Sequence, residues 1–248
     1  MSTGTVSAAE TDTEDLPLTG SAIILDVGSN DVEVVGGAPA GKIEVNRRYE
    51  WGFGGSKPKT NEALSDGAIE LSGADCQGLS WRCSIDYLIR VPDNTAVTFR
   101  GGSGDVVLGG SLGKVDLTTG SGDVTLEGEL GPVDVETGSG DVDADVVAST
   151  ALRVQTGSGD QELQLGSDAS DVTLRAGSGD IDVELRSGLD RLDVETGSGE
   201  VSIDAPDVEP FRIEVDTGSG DEDVDLASDA DADQLIRVQT GSGDVDIE

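Results

Sequence analysis

The sequence predicts an all-β protein, a parallel β-solenoid of the β-helix-like kind with coils of about 18–23 residues. Three observations predict it. Gly-Ser-Gly-Asp/Glu recurs eight times, ending at Asp105, Asp123, Asp141, Asp160, Asp180, Glu200, Asp221 and Asp244, at intervals of 18, 18, 19, 20, 20, 21 and 23 residues. Each copy is flanked by apolar residues at every second position, which marks strands with one buried face. No stretch carries a helical period for more than two turns.

One copy shows the anatomy. Val115, Leu117 and Thr119 alternate with Asp116 and Thr118; Gly120-Ser121-Gly122 follows, then Val124 and Leu126 alternating with Asp123 and Thr125. The same frame returns at Val133/Val135, Leu152/Val154, Val172/Leu174, Leu192/Val194, Ile213/Val215 and Ile236/Val238. A degenerate ninth copy is Gly28-Ser29-Asn30-Asp31. A hairpin array would also use Gly-rich turns, but near-equal repeats favour coils that pair in parallel about 4.8 Å apart. Right-handed crossovers are the default for such strands. Glycine would serve the bend by allowing φ > 0 and close packing. The Thr before it points inward, so Thr119, Thr137, Thr156, Thr196, Thr217 and Thr240 should form a hydroxyl ladder interrupted by Ala176. Gln161 and Glu222 put polar residues into inward sites, where a bulge or shifted register is expected.

The chain divides into a lead, residues 1–20, read as disordered; an irregular β cap region, residues 21–100; and eight regular coils, residues 101–248. Six of the seven aromatic residues lie in the cap region: Tyr49, Trp51, Phe53, Trp81, Tyr87 and Phe99. They can close the first coil, whose open edge would otherwise pair with other chains. Alternatively Trp51, Phe53, Trp81 and Tyr87 form a recognition patch that stacks on a sugar or peptide, beside the Lys57/Lys59 loop. At the other end the chain stops in mid-strand, with acids guarding the last edge.

Composition narrows the function. Net charge is −36, from 51 acids against 15 bases, so nucleic acid and anionic membranes are repelled. Acid excess with only four Lys also fits a high-salt habitat. The chain contains no His, which removes Ser-His-Asp and Cys-His catalysis. β-Helix enzymes that act on polysaccharides use local acid pairs. Here the acids are evenly periodic, and no enzyme is expected. The turn acids from Asp105 to Asp244 should stack in a column. Hydrogen bonds from turn amides, salt, or bridging Ca²⁺ could relieve their repulsion. Specific calcium sites are the weakest of these, because Asp follows the second Gly directly and Ca²⁺ needs six to eight oxygens. No other cofactor is implied.

Cys76 and Cys83, seven residues apart, read either as a disulfide made in an oxidising compartment or as two small buried thiols. No apolar run is long enough to span a membrane, and Met1–Gly20 lacks the basic and apolar regions of a signal peptide. Either the protein is cytoplasmic or the sequence starts downstream of an export signal.

The segment Cys83-Ser84-Ile85-Asp86-Tyr87-Leu88-Ile89-Arg90-Val91-Pro92-Asp93-Asn94-Thr95-Ala96-Val97 and the Thr-Gly-Ser-Gly-Asp-Val repeats resemble the putative-adhesin family of bacterial and archaeal β-strand-repeat proteins, whose function is unknown. The resemblance covers about residues 20–248. It implies a parallel solenoid at the cell envelope or outside the cell, and carries over no catalytic residue. The expected function is a non-enzymatic adhesin-like or envelope structural protein with a protein or glycan ligand, as a monomer or an end-to-end assembly. The alternative is a cytoplasmic scaffold.

Overall fold

The computed structural model describes residues 8–52, 55–65, 68–75, 83–166, 169–206 and 210–248. All regular structure among them is β. The first part of the chain holds β1 (Ala8–Pro17), β2 (Ala22–Gly28), β3 (Val32–Ala38), β4 (Lys42–Trp51), β5 (Lys59–Ser65), β6 (Ala68–Asp75), β7 (Cys83–Pro92) and β8 (Thr95–Gly101). The long β9 (Val106–Thr119) leads into the repeats: β10 (Val124–Leu130), β11 (Val133–Thr137), β12 (Val142–Ala148), β13 (Ala151–Thr156), β14 (Gln161–Leu165), β15 (Asp171–Ala176) and β16 (Ile181–Leu185). The last strands are β17 (Arg191–Ser198), β18 (Val201–Asp204), β19 (Arg212–Thr217), β20 (Glu222–Val224), β21 (Leu235–Ser242) and β22 (Val245–Ile247).

The alternating pattern forms strands because it buries one side of each. In β11, Val133, Val135 and Thr137 face inward while Asp134 and Glu136 face water. Like residues then stack on like: Val115 pairs with Val133, Val133 with Leu152, Leu152 with Val172 and Val172 with Leu192, all in parallel. The interior is a continuous column of Val, Leu and Ile, mostly 0–2% exposed. Each such side chain stabilises the fold by about 1.5–3 kcal/mol.

Two strand faces enclose this core. One runs β5-β6-β2-β8-β9-β11-β13-β15-β17-β21-β19; the other runs β1-β4-β7-β3-β9-β10-β12-β14-β16-β18-β22-β20. Strand β9 is long enough to serve both, its first half on the second face and its last residues on the first.

Coil order in space departs from coil order in sequence at both ends. The β2/β3 coil lies between β6/β7 and β8/β9, and the β21/β22 coil lies between β17/β18 and β19/β20. So β22 is not the exposed last edge that the sequence implied; it is paired on both sides, and β20 is the edge. Glu222 explains the exchange. In sequence order its carboxylate would be sandwiched between two apolar coils, at a cost of several kcal/mol. On the terminal coil it stands in water.

Four further expectations are corrected. Gln161 stays in register, opposite Val142 and Ile181. It is buried, and its amide nitrogen donates to Thr156 Oγ1 (3.0 Å) and to the Arg175 carbonyl (2.8 Å), beside the gap left by Ala176. Glu222 is also in register, opposite Val245. The threonines do not bond to one another: Thr137 Oγ1 accepts from the Gly140 amide, and Thr156 donates to the Gly159 carbonyl. Residues 8–17 of the lead form β1, antiparallel to β4.

The corner glycines are needed chiefly for close approach, since only Gly28 (66°) and Gly179 (157°) among them have positive φ. A Cβ on Gly122 would stand 1.9 Å from the Gly104 carbonyl oxygen, and one on Gly140 1.9 Å from that of Gly122. Neighbouring coils touch through these backbones.

Candidate binding surfaces

The acidic corner is a ladder. The strand alternation turns the acid outward at each corner, and in most copies an Asp Oδ1 accepts the backbone amide of the acid one coil away. The chain of bonds runs from Asp31 to Asp105, Asp123, Asp141, Asp160, Asp180 and Glu200 at 2.8–3.1 Å, and Asp244 accepts from Asp221 at 2.9 Å. Two carboxylates about 4.8 Å apart repel by roughly 0.9 kcal/mol in water. A hydrogen bond to a charged acceptor contributes about 1.5–3 kcal/mol. The bonds offset the repulsion at each step of the column, and salt screens what remains. Among the described residues, no three His, Cys, Asp or Glu side chains are grouped to hold a metal.

The aromatic cluster is divided. Phe53 and Trp81 lie outside the described residues, as does Cys76. Trp51 is half-buried against the core at the end of β4. Tyr87 alternates with Ile85 and Ile89 and is 3% exposed, so it is a core residue and offers no ring to a ligand. Burial pushes its phenol up to about 12, and its hydroxyl has no hydrogen-bond partner among the described residues. Tyr49 is also buried, and the Lys57 ammonium sits 3.9 Å above its ring. Cys83 is disulfide-bonded.

Beside these rings is a group that sequence reasoning missed. Arg47 takes an inward site on β4, where its side chain is 3% exposed. It donates to Asp12 (3.4 Å) and Glu14 (3.1 Å) on β1 and to Glu62 on β5. Lys57 joins the group through Glu10 at 2.7 Å. These ions fasten β1 and β5 over the end of the core. Near them Asp86 is raised above the usual carboxylate range, first by burial and then by the Asp31 charge.

The outer surfaces of the two strand faces differ. On the second face, Asp143, Asp145, Glu162, Asp182, Glu184 and Asp204 all point to water. The first face carries arginines at equivalent outward sites: Arg153, Arg175, Arg191 and Arg237. They line a hollow of about 250 Å³ with Thr173, Asp193, Glu195 and Gln239. It adjoins a longer groove of about 860 Å³ along the Thr-Gly corner, sharing Arg175, Glu195 and Gln239. Arg175 pairs with Glu195 (3.2 Å), and Arg237 with Glu214 (2.6 Å). Arg153 has no ion pair among the described residues. Aligning the repeats on their strand alternation would have revealed these arginines.

Comparison with known proteins agrees with this architecture. A structure from Bacteroides fragilis NCTC 9343, titled a putative adhesin, superposes with a TM-score of 0.55 at 15% identity, over 96% of this chain and 97% of that one. A structure from Parabacteroides distasonis ATCC 8503, titled a putative lipid binding protein, also gives 0.55, at 14% identity over 96% of both chains. At these identities the likeness is one of fold. No curated protein matches the chain. Residues 21–248, from the first solenoid strand to the last, match the Toastrack DUF4097 family, and the chain belongs to it.

Proposed function

We propose that the protein is a non-enzymatic, adhesin-like binding protein of the cell envelope or exterior, a stiff acidic solenoid that presents side-chain rows to a ligand. The observation that carries this reading is the placement of the polar side chains. The interior is filled by apolar residues, and the repeated acids are bound into the backbone as a ladder. What varies from coil to coil is the outer surface, and variation on a rigid repeat scaffold is where recognition is placed. The fold likeness to a structure titled a putative adhesin supports the same class. The bonded Cys83 supports an oxidising location. No helix among the described residues is long and apolar enough to cross a membrane.

The test has two parts. The untreated protein is fractionated, and its thiols are titrated with a maleimide under denaturing conditions. Envelope or extracellular recovery with no free thiol is expected. Recovery in the soluble cell interior with two free thiols would replace this reading with that of a cytoplasmic scaffold. In parallel, the purified chain is applied to a glycan array and to bacterial and host cell surfaces. Binding to at least one is expected, and turnover of any arrayed polysaccharide would overturn the non-enzymatic reading.

A further inference from the structure

The first face carries a row of arginines among its outward acids. We infer that it binds a linear carboxylated polysaccharide, a uronate-bearing glycan laid along the solenoid axis across β13, β15, β17 and β21. This rests on the adhesin-like reading and gives it a site and a ligand class.

The geometry carries it. The hollow is lined by four arginines against two acids, in a chain whose net charge is −36. Arg153, Thr173, Asp193 and Arg237 form one outward column; Gln155, Arg175, Glu195 and Gln239 form the next. From Arg153 to Arg237 is three strand steps, about 14 Å at 4.8 Å each, with Asp193 between them and Arg175 and Arg191 in the columns on either side. Guanidinium groups match carboxylates through paired N–H donors. Arg153 is exposed and has no competing ion pair, and Arg175 is held only by the exposed Glu195. Gln155, Gln239 and Thr173 supply donors and acceptors for hydroxyls, and the 860 Å³ groove extends the track past the glycine corners.

Other partners fit less well. A protein interface needs a buried apolar or aromatic anchor, and the outward side chains lining both hollows are polar. Single-stranded nucleic acid needs aromatic platforms, and no aromatic residue lines either hollow. A duplex would bring its phosphates against the flanking acids. A flexible, hydroxylated chain with spaced carboxylates can reach Arg153 directly and Arg175 by displacing the exposed Glu195, while Arg191 stays paired with Asp193 and Arg237 with Glu214.

The experiment is calorimetric titration of the full chain with oligogalacturonate, at low salt with a chelator present. Its methyl-esterified form, which lacks the charges, is the control. Binding of the acid form only is expected. The double variant Arg153→Gln/Arg175→Gln should lose about tenfold or more, since each charged hydrogen bond is worth roughly that factor. The double variant Arg48→Gln/Arg186→Gln changes net charge equally on the other face and should bind like wild type. All three proteins are first compared by thermal melting; these arginines are exposed and should not alter it. Failure of the wild type to bind, or equal loss in both double variants, overturns the site. If the site fails but array or cell binding survives in Arg153→Gln/Arg175→Gln, the adhesin-like reading stands without it. If the wild type binds neither array nor cells, that reading falls as well.

Discussion

The two ends of the stack solve one problem in different ways. Each is a place where a pile of coils would expose its apolar interior. At the end built from the first strands, β1, β4 and β5 run antiparallel to their neighbours and extend the sheet faces, with Arg47 buried among three carboxylates. At the other end no strand among the described residues pairs with the outer side of the β19/β20 coil, although Phe211 and Leu226 beside it are buried. Ile213 and Val215 are only partly buried, Val224 is 38% exposed, and Glu222 stands in the inward row. One end is closed by added strands and ion pairs; the other is left open and made tolerable by polarity. In a stack stabilised by neighbour contacts, the open end should fray first and the closed end should carry the greater share of the stability.

The largest expected effect compares matched substitutions. A Cβ at Gly104 meets the Asn30 carbonyl oxygen at 2.1 Å, and a Cβ at Gly220 meets that of Gly243 at 2.1 Å. The nominal clash is the same. Near the closed end, however, Gly104 lies between two paired coils, whereas the β19/β20 coil has a free side and can shift. Gly104→Ala should cost about 3 kcal/mol or more, and Gly220→Ala about 1 kcal/mol. Urea unfolding of both measures it. Equal losses would mean that the two ends are equally constrained.

Arg47→Met comes next. It removes the one cation shared by Asp12, Glu14 and Glu62 while keeping most of the buried volume. Losing one partner of a buried pair costs about 3–5 kcal/mol. These acids are partly exposed and can regain water, so about 2 kcal/mol is expected. Proteolysis should then cut β1 early, while β19/β20 keeps its wild-type rate. A variant that melts like wild type would show that the antiparallel strands close this end without the ion group.

Asp86 has a smaller effect and an opposite sign. Its carboxyl is raised in the folded state, first by burial, so the fold takes up a proton more readily than the unfolded chain does. Protonation therefore stabilises the fold, and ionisation at neutral pH works against it. Asp86→Asn should raise the melting temperature at pH 7 by less than Arg47→Met lowers it. The gain should shrink as pH falls through the carboxylate range. A pH-independent difference would assign the effect to hydrogen bonding.

Much of this could be read from residue order, and the failures have a common cause. Strand positions, the inward rows and the stacked acids follow from a period of two locked to a repeated corner. Tyr87 was legible too, because it alternates with Ile85 and Ile89. The spatial order of the coils was not. Near-identical copies present the same pairing edge, so local pattern cannot say which coil sits on which. Single deviations decide it, and Glu222 was visible as a deviation without revealing that it marks an end. The corner glycines were ambiguous for a similar reason. A bend and a close neighbour both demand glycine, and only the stacked structure separates them. Arg47 went unnoticed because its ion partners come from β1, in a lead read as disordered, and from β5.

The smallest effect probes where the open end begins. The corner ladder runs unbroken from Asp31 to Glu200 and resumes only between Asp221 and Asp244. Glu200 donates its amide to Asp180 at 2.8 Å, but its own carboxylate makes no hydrogen bond to the Asp244 amide among the described residues. Glu200 is one methylene longer than the Asp that makes this bond in the other coils. The last two coils are thus joined to the rest by strand pairing and core contacts without the side-chain bond. Glu200→Asp should supply it, adding about 0.5–1.5 kcal/mol. The gain should be local, appearing as slower hydrogen exchange at the Asp244 amide and in β19 and β20, with β1–β4 unchanged. Faster exchange there, or a gain spread evenly over the chain, would mean that the missing bond is not what sets the open end apart.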